Sequence, residues 1–292
     1  MKSSSINASL DKGCLSATFI KMIALLCMTI DHIAAYSFEI AIIGRYSDLM
    51  RSFGRIAAPI FLYFVIESYK KTSNKERFLL RLYIAACIVG LCNYFASTVV
   101  LQSTVTFGNI LHTFVWTIAI VYLFERLKKA YASKNYKSMI FSLCIAAIIV
   151  IALHYIEIGL LGLASTAATE TSREIFWQSH KIFLAFFNSP RQVDYSFGFV
   201  ALGVIWYLQK TKLVHCISFA GLWFVLGTFT YASSYFDVNY LHDISLPVMV
   251  IIVALIAIYN GERGRGMKYF FYIYYPVHCY IIVIVTKLMG YL

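Results

Sequence analysis

The sequence predicts an all-α protein, a polytopic integral membrane helix bundle of about nine transmembrane helices. Three observations carry this reading. Hydrophobic residues make up 60% of the 292 residues and charged ones only 13%. The apolar runs reach the length that crosses about 30 Å of hydrocarbon, and the cations sit in short clusters between those runs. The formal charge of +11 is therefore a signature of topology, and no nucleic-acid partner is expected. The seven cysteines, at positions 14, 27, 87, 92, 144, 216 and 279, include no C-x-x-C pair, so they read as core fillers and not as a disulfide framework or a zinc knuckle.

The first run, Ala17–Phe38, resembles a signal peptide at its apolar core. It lacks the basic flank directly before a short core, and Asp31-His32 interrupts the place where a cleavage region would begin, so the segment is expected to be retained. Eight further runs follow: Ile56–Tyr69, Phe78–Val100, Ile110–Phe124, Met139–Ile156, Phe197–Leu208, Val214–Tyr235, Leu246–Tyr259 and Tyr269–Leu288. Alternate connections (Lys70–Arg77, Arg126–Lys137, Lys210–Lys212 and Arg263–Lys268) hold 14 Lys and Arg, against five on the other side at Arg45, Arg51, Arg173, Lys181 and Arg191. That bias places the N-terminus in the cytoplasm and the C-terminus outside. Glu157–Asp194 mixes a Gly/Ala/Thr stretch with an amphipathic one and reads as an outward re-entrant or interfacial elaboration. If it crossed, the count would be ten and every later loop would change sides. There is no internal repeat and no detachable soluble domain, so residues 1–292 read as one domain.

Within this frame the stretch KMIALLCMTIDH, Lys21–His32, is a polar track. Eleven helical residues rise about 16 Å and make about three turns, so Lys21 and His32 share a face, one near a membrane surface and one near the midplane. A charge at that depth costs about 2.5–3.5 kcal/mol on insertion scales, so Asp31 and His32 should face protein or a wet cavity. On the last run, entered at Lys268, His278 lies about 15 Å deep, at the level of His32. Pro276, two residues earlier, cannot donate its backbone bond and frees the carbonyl of Tyr272. No ligand spacing singles out a metal site built from Asp31, His32 and His278, and no metal is expected.

Arg55 opens the second run at the outer face. Lys21, Arg77 and Arg81 lie toward the cytoplasmic face, where Arg77 fits ordinary positive-inside charge and Arg81, one turn inside its run, fits either snorkelling or anion binding. Asn109, His112 and Asp194 lie in the outer third, lining an access route or satisfying neighbouring helices. His154, His180, His215 and His242 carry no assigned role.

The ordered segments KMIALLCMTIDHIAAY, GRIAAPIFLYFVIESYKKTSN, RFLLRLYI, GNILHTF, VDYSFG and YNGERGRGMKYFFYIYYPVHC resemble the TraX family, named for the conjugative-plasmid protein that acetylates the N-terminus of F-type pilin. The resemblance is most specific at Asp31-His32, at Gly54-Arg55 with Pro59, and at Asn260–Arg265 followed by Tyr275-Pro276-x-His278; Glu157–Arg191 fits least. That family is similar in turn to the type-3 acyltransferases, which carry an arginine ten intervening residues before a histidine in the first span. Here Lys21 stands in the arginine position, keeping the charge but not the bidentate fork.

The resemblance implies an acetyl-CoA-dependent N-acetyltransferase of the bacterial inner membrane, in contact with lipid, whose acceptor is the pilin N-terminal amine. On that basis His32, Asp31 and His278 are the catalytic candidates. Lys21, Arg77, Arg81, Arg263 and Arg265 are the candidates for the coenzyme's phosphates, and Arg55, Asn109, His112, Asp194 and Tyr275 those for the acceptor side. An O-acyltransferase acting on a surface glycan, a proton-coupled transporter and a non-catalytic pilin assembly factor are the alternatives.

Overall fold

The computed structural model describes residues 13–100, 107–187, 196–229 and 244–291. Among these the elements are helices joined by turns and loops, with a single parallel bridge between Leu15 and Tyr259. Each of the nine apolar runs falls on a helix over its described residues; residues 230–235 of the run Val214–Tyr235 lie outside them. Among the described residues six helical stretches are long and apolar enough to cross a membrane, and three more are apolar but shorter. Contacts divide the chain into two compact units, one comprising Met1–Lys71 with Ala201–Leu292 and the other Thr72–Val200.

In the first unit α1 spans Ala17–Tyr36, α2 Ala41–Gly54 and α3 Ala57–Lys70. α1 begins where Ser16, its N-cap, accepts from the amide of Phe19. Its other free amides meet a distant loop: Ala17 N donates to Glu262 O at 2.9 Å and Thr18 N to Arg263 O at 3.2 Å. The Thr18 hydroxyl bonds the carbonyls of Arg263 and Arg265, at 2.8 and 2.7 Å. Backbone carbonyls thus close the positive end of α1 where a side-chain cap alone would leave donors unsatisfied. Gly264 enables the approach, because its φ of +71° suits glycine and a Cβ there would meet the Ser16 hydroxyl.

α2 was not expected, since residues 39–55 read as an outer connection. The sequence AIIGRYSDLMRSFG is amphipathic, with its polar face able to answer charges on a neighbour, and it folds back on α1 through a short turn at Ser37–Ile40. The joint at Arg55 and Ile56 is a tight turn, with Arg55 N bonded to Ser52 O. α3 then runs through the middle of the unit, burying Leu62, Tyr63, Ile66 and Tyr69 almost completely.

Three further helices and the end of a fourth complete this unit: α8, Ser196–Leu208, contributes from Ala201 on, followed by α9, Lys212–Phe229, α10, Leu246–Ala257, and α11, Lys268–Leu288. Tyr63 packs edge-on against Trp206, 5.5 Å between ring centroids, and Phe64 against Tyr259 at 5.1 Å. Lys70 donates to Trp206 O at 2.8 Å and Gln209 O at 3.0 Å, satisfying carbonyls at the end of α8 with a cation, the sign that helix end favours.

The second unit holds α4, Lys75–Phe95, α5, Ile110–Ala132, α6, Tyr136–Thr166, and α7, Glu170–Phe186. Asn74, Asn135 and Thr169 cap α4, α6 and α7 through their side chains. α4 and α7 approach closely at Gly90, where a Cβ would strike the backbone of Ala185. α6 runs ten residues beyond the expected end at Ile156, because Gly159 and Gly162 face open space and the Ala/Leu-rich stretch around them is a competent helix former. The first part of the 157–194 elaboration is therefore helix α6, and the amphipathic part is α7. Asp194, with Arg191, lies outside the described residues.

Candidate active site

α1 and α11 lie side by side and run in the same direction. Thr29 Oγ1 meets the Tyr274 hydroxyl at 2.9 Å, and further along Ser37 Oγ meets Thr286 Oγ1 at 2.6 Å. Between these rungs His32 Nδ1 and His278 Nε2 are 2.7 Å apart. The ring planes differ by 20° with centroids 4.9 Å apart, so the imidazoles face each other nitrogen to nitrogen. Both histidines sit at the level where their helices bury the polar face.

The hydrogen bonds assign the tautomers. His278 Nδ1 is 2.8 Å from the carbonyl oxygen of Tyr274. A carbonyl can only accept, so Nδ1 carries the hydrogen and Nε2 of the neutral ring carries a lone pair. His32 must then donate from Nδ1 to His278 Nε2. The remaining nitrogen, His32 Nε2, is left with a lone pair and with no hydrogen bond from His278. It faces Asp31 Oδ2 at 4.0 Å, beyond hydrogen-bond reach but within electrostatic range. A proton arriving at Nε2 is stabilised by that carboxylate, and the ring's Nδ1–H is already aimed at His278.

Asp31 is itself held. Arg51 Nη1, from α2, pairs with Asp31 Oδ1 at 3.1 Å, and Arg55 adds a second positive charge in its field. Gly54 makes the approach possible: it is buried, and a Cβ on it would overlap the Asp31 side chain. A double-mutant cycle of Arg51→Ala and Asp31→Asn, read by thermal or denaturant unfolding, is expected to give a coupling of about 1 kcal/mol, held low because Arg51 is 38% exposed and water screens it. Independent, additive effects would contradict the pairing.

Cys279 completes the cluster. Its Sγ is 3.1 Å from His32 Nδ1, 3.5 Å from His278 Nε2 and 3.8 Å from Tyr275 O. His32, His278 and Cys279 form the group of potential metal donors among the described residues, with one ligand atom each and all within 4.8 Å of one another. The Tyr274 ring lies nearly parallel to His278 with centroids 5.0 Å apart.

The other sequence candidates fall as follows. Lys21, one side of α1 from His32, holds its ammonium over the rings of Phe64 and Phe271, 5.1 and 5.9 Å from their centroids. Arg263 and Arg265 expose their side chains while their carbonyls cap α1. Tyr275 packs with Phe61, Phe271 and Tyr274 against Leu25, Met28 and Ala57. Arg77 and Arg81 are exposed on α4 in the second unit, where Arg81 Nε bonds Arg77 O. In that unit Asn109 Nδ2 donates to Ala86 O at 2.9 Å, and His112 Nε2 to Ala185 O at 3.3 Å, so both tie helices to one another.

Arg51, Cys279 and Tyr274 were not singled out by the sequence. Arg51 was counted with the outer loop charges, and only the amphipathic pattern of residues 41–54 signalled a helix that returns to α1. Cys279 directly follows His278, and neighbours in sequence usually point to different faces of a helix. Here His32 sits in the angle between the two.

Comparison with known proteins finds no match among curated proteins and none among solved structures. A family profile described as TraX protein matches residues 16–286. This span includes α1, α2 and the α11 residues that meet α1, so by sequence along most of its length the chain belongs to the TraX family.

Proposed function

We propose that the chain is a membrane-embedded acetyltransferase that moves acetyl from cytoplasmic acetyl-CoA to the N-terminal amine of a conjugative pilin. The observation that carries this reading is the directed pair Tyr274 O, His278, His32, which leaves a lone pair on His32 Nε2. The acceptor reacts as the neutral amine; His32 Nε2 takes the one proton its nitrogen sheds on bonding to carbon, and Asp31, held by Arg51, stabilises the imidazolium. The amine nitrogen attacks the thioester carbonyl and loses that proton to His32 as the new C–N bond forms; the C–S bond breaks, and the same proton passes from the imidazolium to the departing thiolate. His278 holds the His32 ring in the productive tautomer and shares its positive charge.

The coenzyme's phosphates are assigned to Lys21, Arg263 and Arg265 at the end of α1 that begins the track to His32. Arg77 and Arg81, on the second unit, are candidates by sequence and are given no part in this site. Nine crossings with a cytoplasmic N-terminus in the bacterial inner membrane suit this chemistry, since the donor is made in the cytoplasm and the acceptor is exported. The same-direction run of α1 and α11 supports an odd count, because an even number of crossings would bring the last helix beside the first in the opposite sense. Reporter fusions after Lys137 and at Leu292 are expected to label opposite sides of the membrane; labelling on one side would contradict nine crossings.

Mass spectrometry of pilin and of surface polysaccharide from cells with and without the chain tests the acceptor. The acetyl group is expected to disappear from the pilin N-terminus. Its disappearance from the polysaccharide instead would make the enzyme an O-acyltransferase.

A further inference from the structure

We propose that His32, His278 and Cys279 form a binding site for a borderline-soft divalent cation, zinc above all, and that the bound ion blocks the transferase. The blocking consequence rests on the function proposed above; the binding does not. Two imidazole nitrogens and a sulfur suit zinc among the common divalent ions, while magnesium and calcium need oxygen donors. The three donor atoms lie 2.7, 3.1 and 3.5 Å apart. With zinc–nitrogen bonds of about 2.0–2.1 Å and a zinc–sulfur bond of about 2.3 Å, tetrahedral donors sit about 3.3–3.6 Å apart. The sulfur is already at that spacing from His278 and about 0.4 Å short of it from His32, and the two rings have to part by about 0.6 Å.

The surroundings are those a metal histidine uses. His278 donates its other ring hydrogen to the Tyr274 carbonyl, which fixes Nε2 as the ligand atom. On His32 the binding atom is Nδ1, so its hydrogen must move to Nε2, where the Asp31 carboxylate stands 4.0 Å away and Arg51 holds it in place. The proton balance is simple: His32 changes tautomer without losing a proton, and the Cys279 thiol releases one to solvent as the thiolate binds. Three protein ligands leave a fourth tetrahedral position for water or a substrate atom. Because the Nε2 lone pair of His32 is spent on that hydrogen, the metal-bound protein has no base to offer the acceptor amine.

The test uses the purified full-length protein in detergent, titrated with cobalt(II) as an optical probe and then with zinc. A thiolate-to-cobalt charge-transfer band is expected at one ion per chain, displaced by zinc. Cys279→Ser is expected to abolish the band, and His278→Ala to weaken cobalt binding by at least about tenfold. Zinc should also raise the melting temperature of the wild type more than that of Cys279→Ser, a readout that needs no activity. Absence of the band in folded wild type, or a band that persists in Cys279→Ser, would overturn the site. Zinc should slow acetyl transfer in step with its occupancy. If the band appears and no transfer is seen without metal, the transferase reading fails and the metal site stands; full transfer with zinc bound would overturn the block.

Discussion

His32→Ala is expected to lower acetyl transfer about 10²–10⁴-fold per folded molecule, the usual worth of a positioned proton acceptor. The loss should fall on turnover and leave donor binding nearly intact. Thr18 and the Arg265 carbonyl mark the other end of α1, fourteen residues and about 20 Å from His32 along the helix. His278→Ala should cost less, since it removes the partner that orients His32 but leaves the Nε2 lone pair itself. The alternative is a purely structural histidine bonded across helices. In that case both variants would lower melting temperature and yield, and the protein recovered would transfer at close to the wild-type rate. A His32→Ala rate within about threefold of wild type, normalised to folded and acetyl-CoA-binding protein, would remove His32 from the chemistry.

Gly54→Ala is expected to have the next largest effect, although it adds a single methyl group far in sequence from either histidine. The new Cβ would overlap the Cβ and Cγ of Asp31. Either α1 and α2 part or Asp31 turns, and overpacking of this kind costs about 1–3 kcal/mol. Whichever yields, Asp31 loses its alignment between Arg51 and His32, so transfer per folded molecule should fall together with stability. Gly159→Ala is the control, because nothing lies within 4 Å of a Cβ at that position and alanine favours a helix interior. Loss of stability in Gly54→Ala with full transfer per folded molecule would separate Asp31's position from catalysis. Equal behaviour of the two variants would contradict the close approach of α1 and α2.

The sequence made the meeting of His32 and His278 legible for a physical reason. Each is an isolated polar group in an apolar helix, and each lies a similar number of residues from a basic flank, so 1.5 Å per residue sets them at one depth. The apolar runs were equally legible, and each falls on a helix over its described residues. Charges off those runs were not. Arg51 sits on α2, whose polar face gives it the composition of a loop, and its partner Asp31 is twenty residues away across a turn. Helix ends were also poorly marked: α6 continues through Gly159 and Gly162, where no packed neighbour or turn uses the freedom of the glycines. The direction of the histidine pair depends on the carbonyl of Tyr274, a backbone atom whose role no side-chain pattern reveals.

The most direct test of the central claim is transfer by the purified chain. The protein in detergent would be given acetyl-CoA labelled in its acetyl group and a peptide carrying the pilin N-terminus, and the peptide's N-terminal residue would be sequenced by mass spectrometry. Labelled acetyl on the terminal amine is the expected result, strong with wild type and nearly absent with His32→Ala. Folded wild-type protein that binds acetyl-CoA yet leaves the amine bare, or a His32→Ala variant that labels it as fast as wild type, would contradict the account.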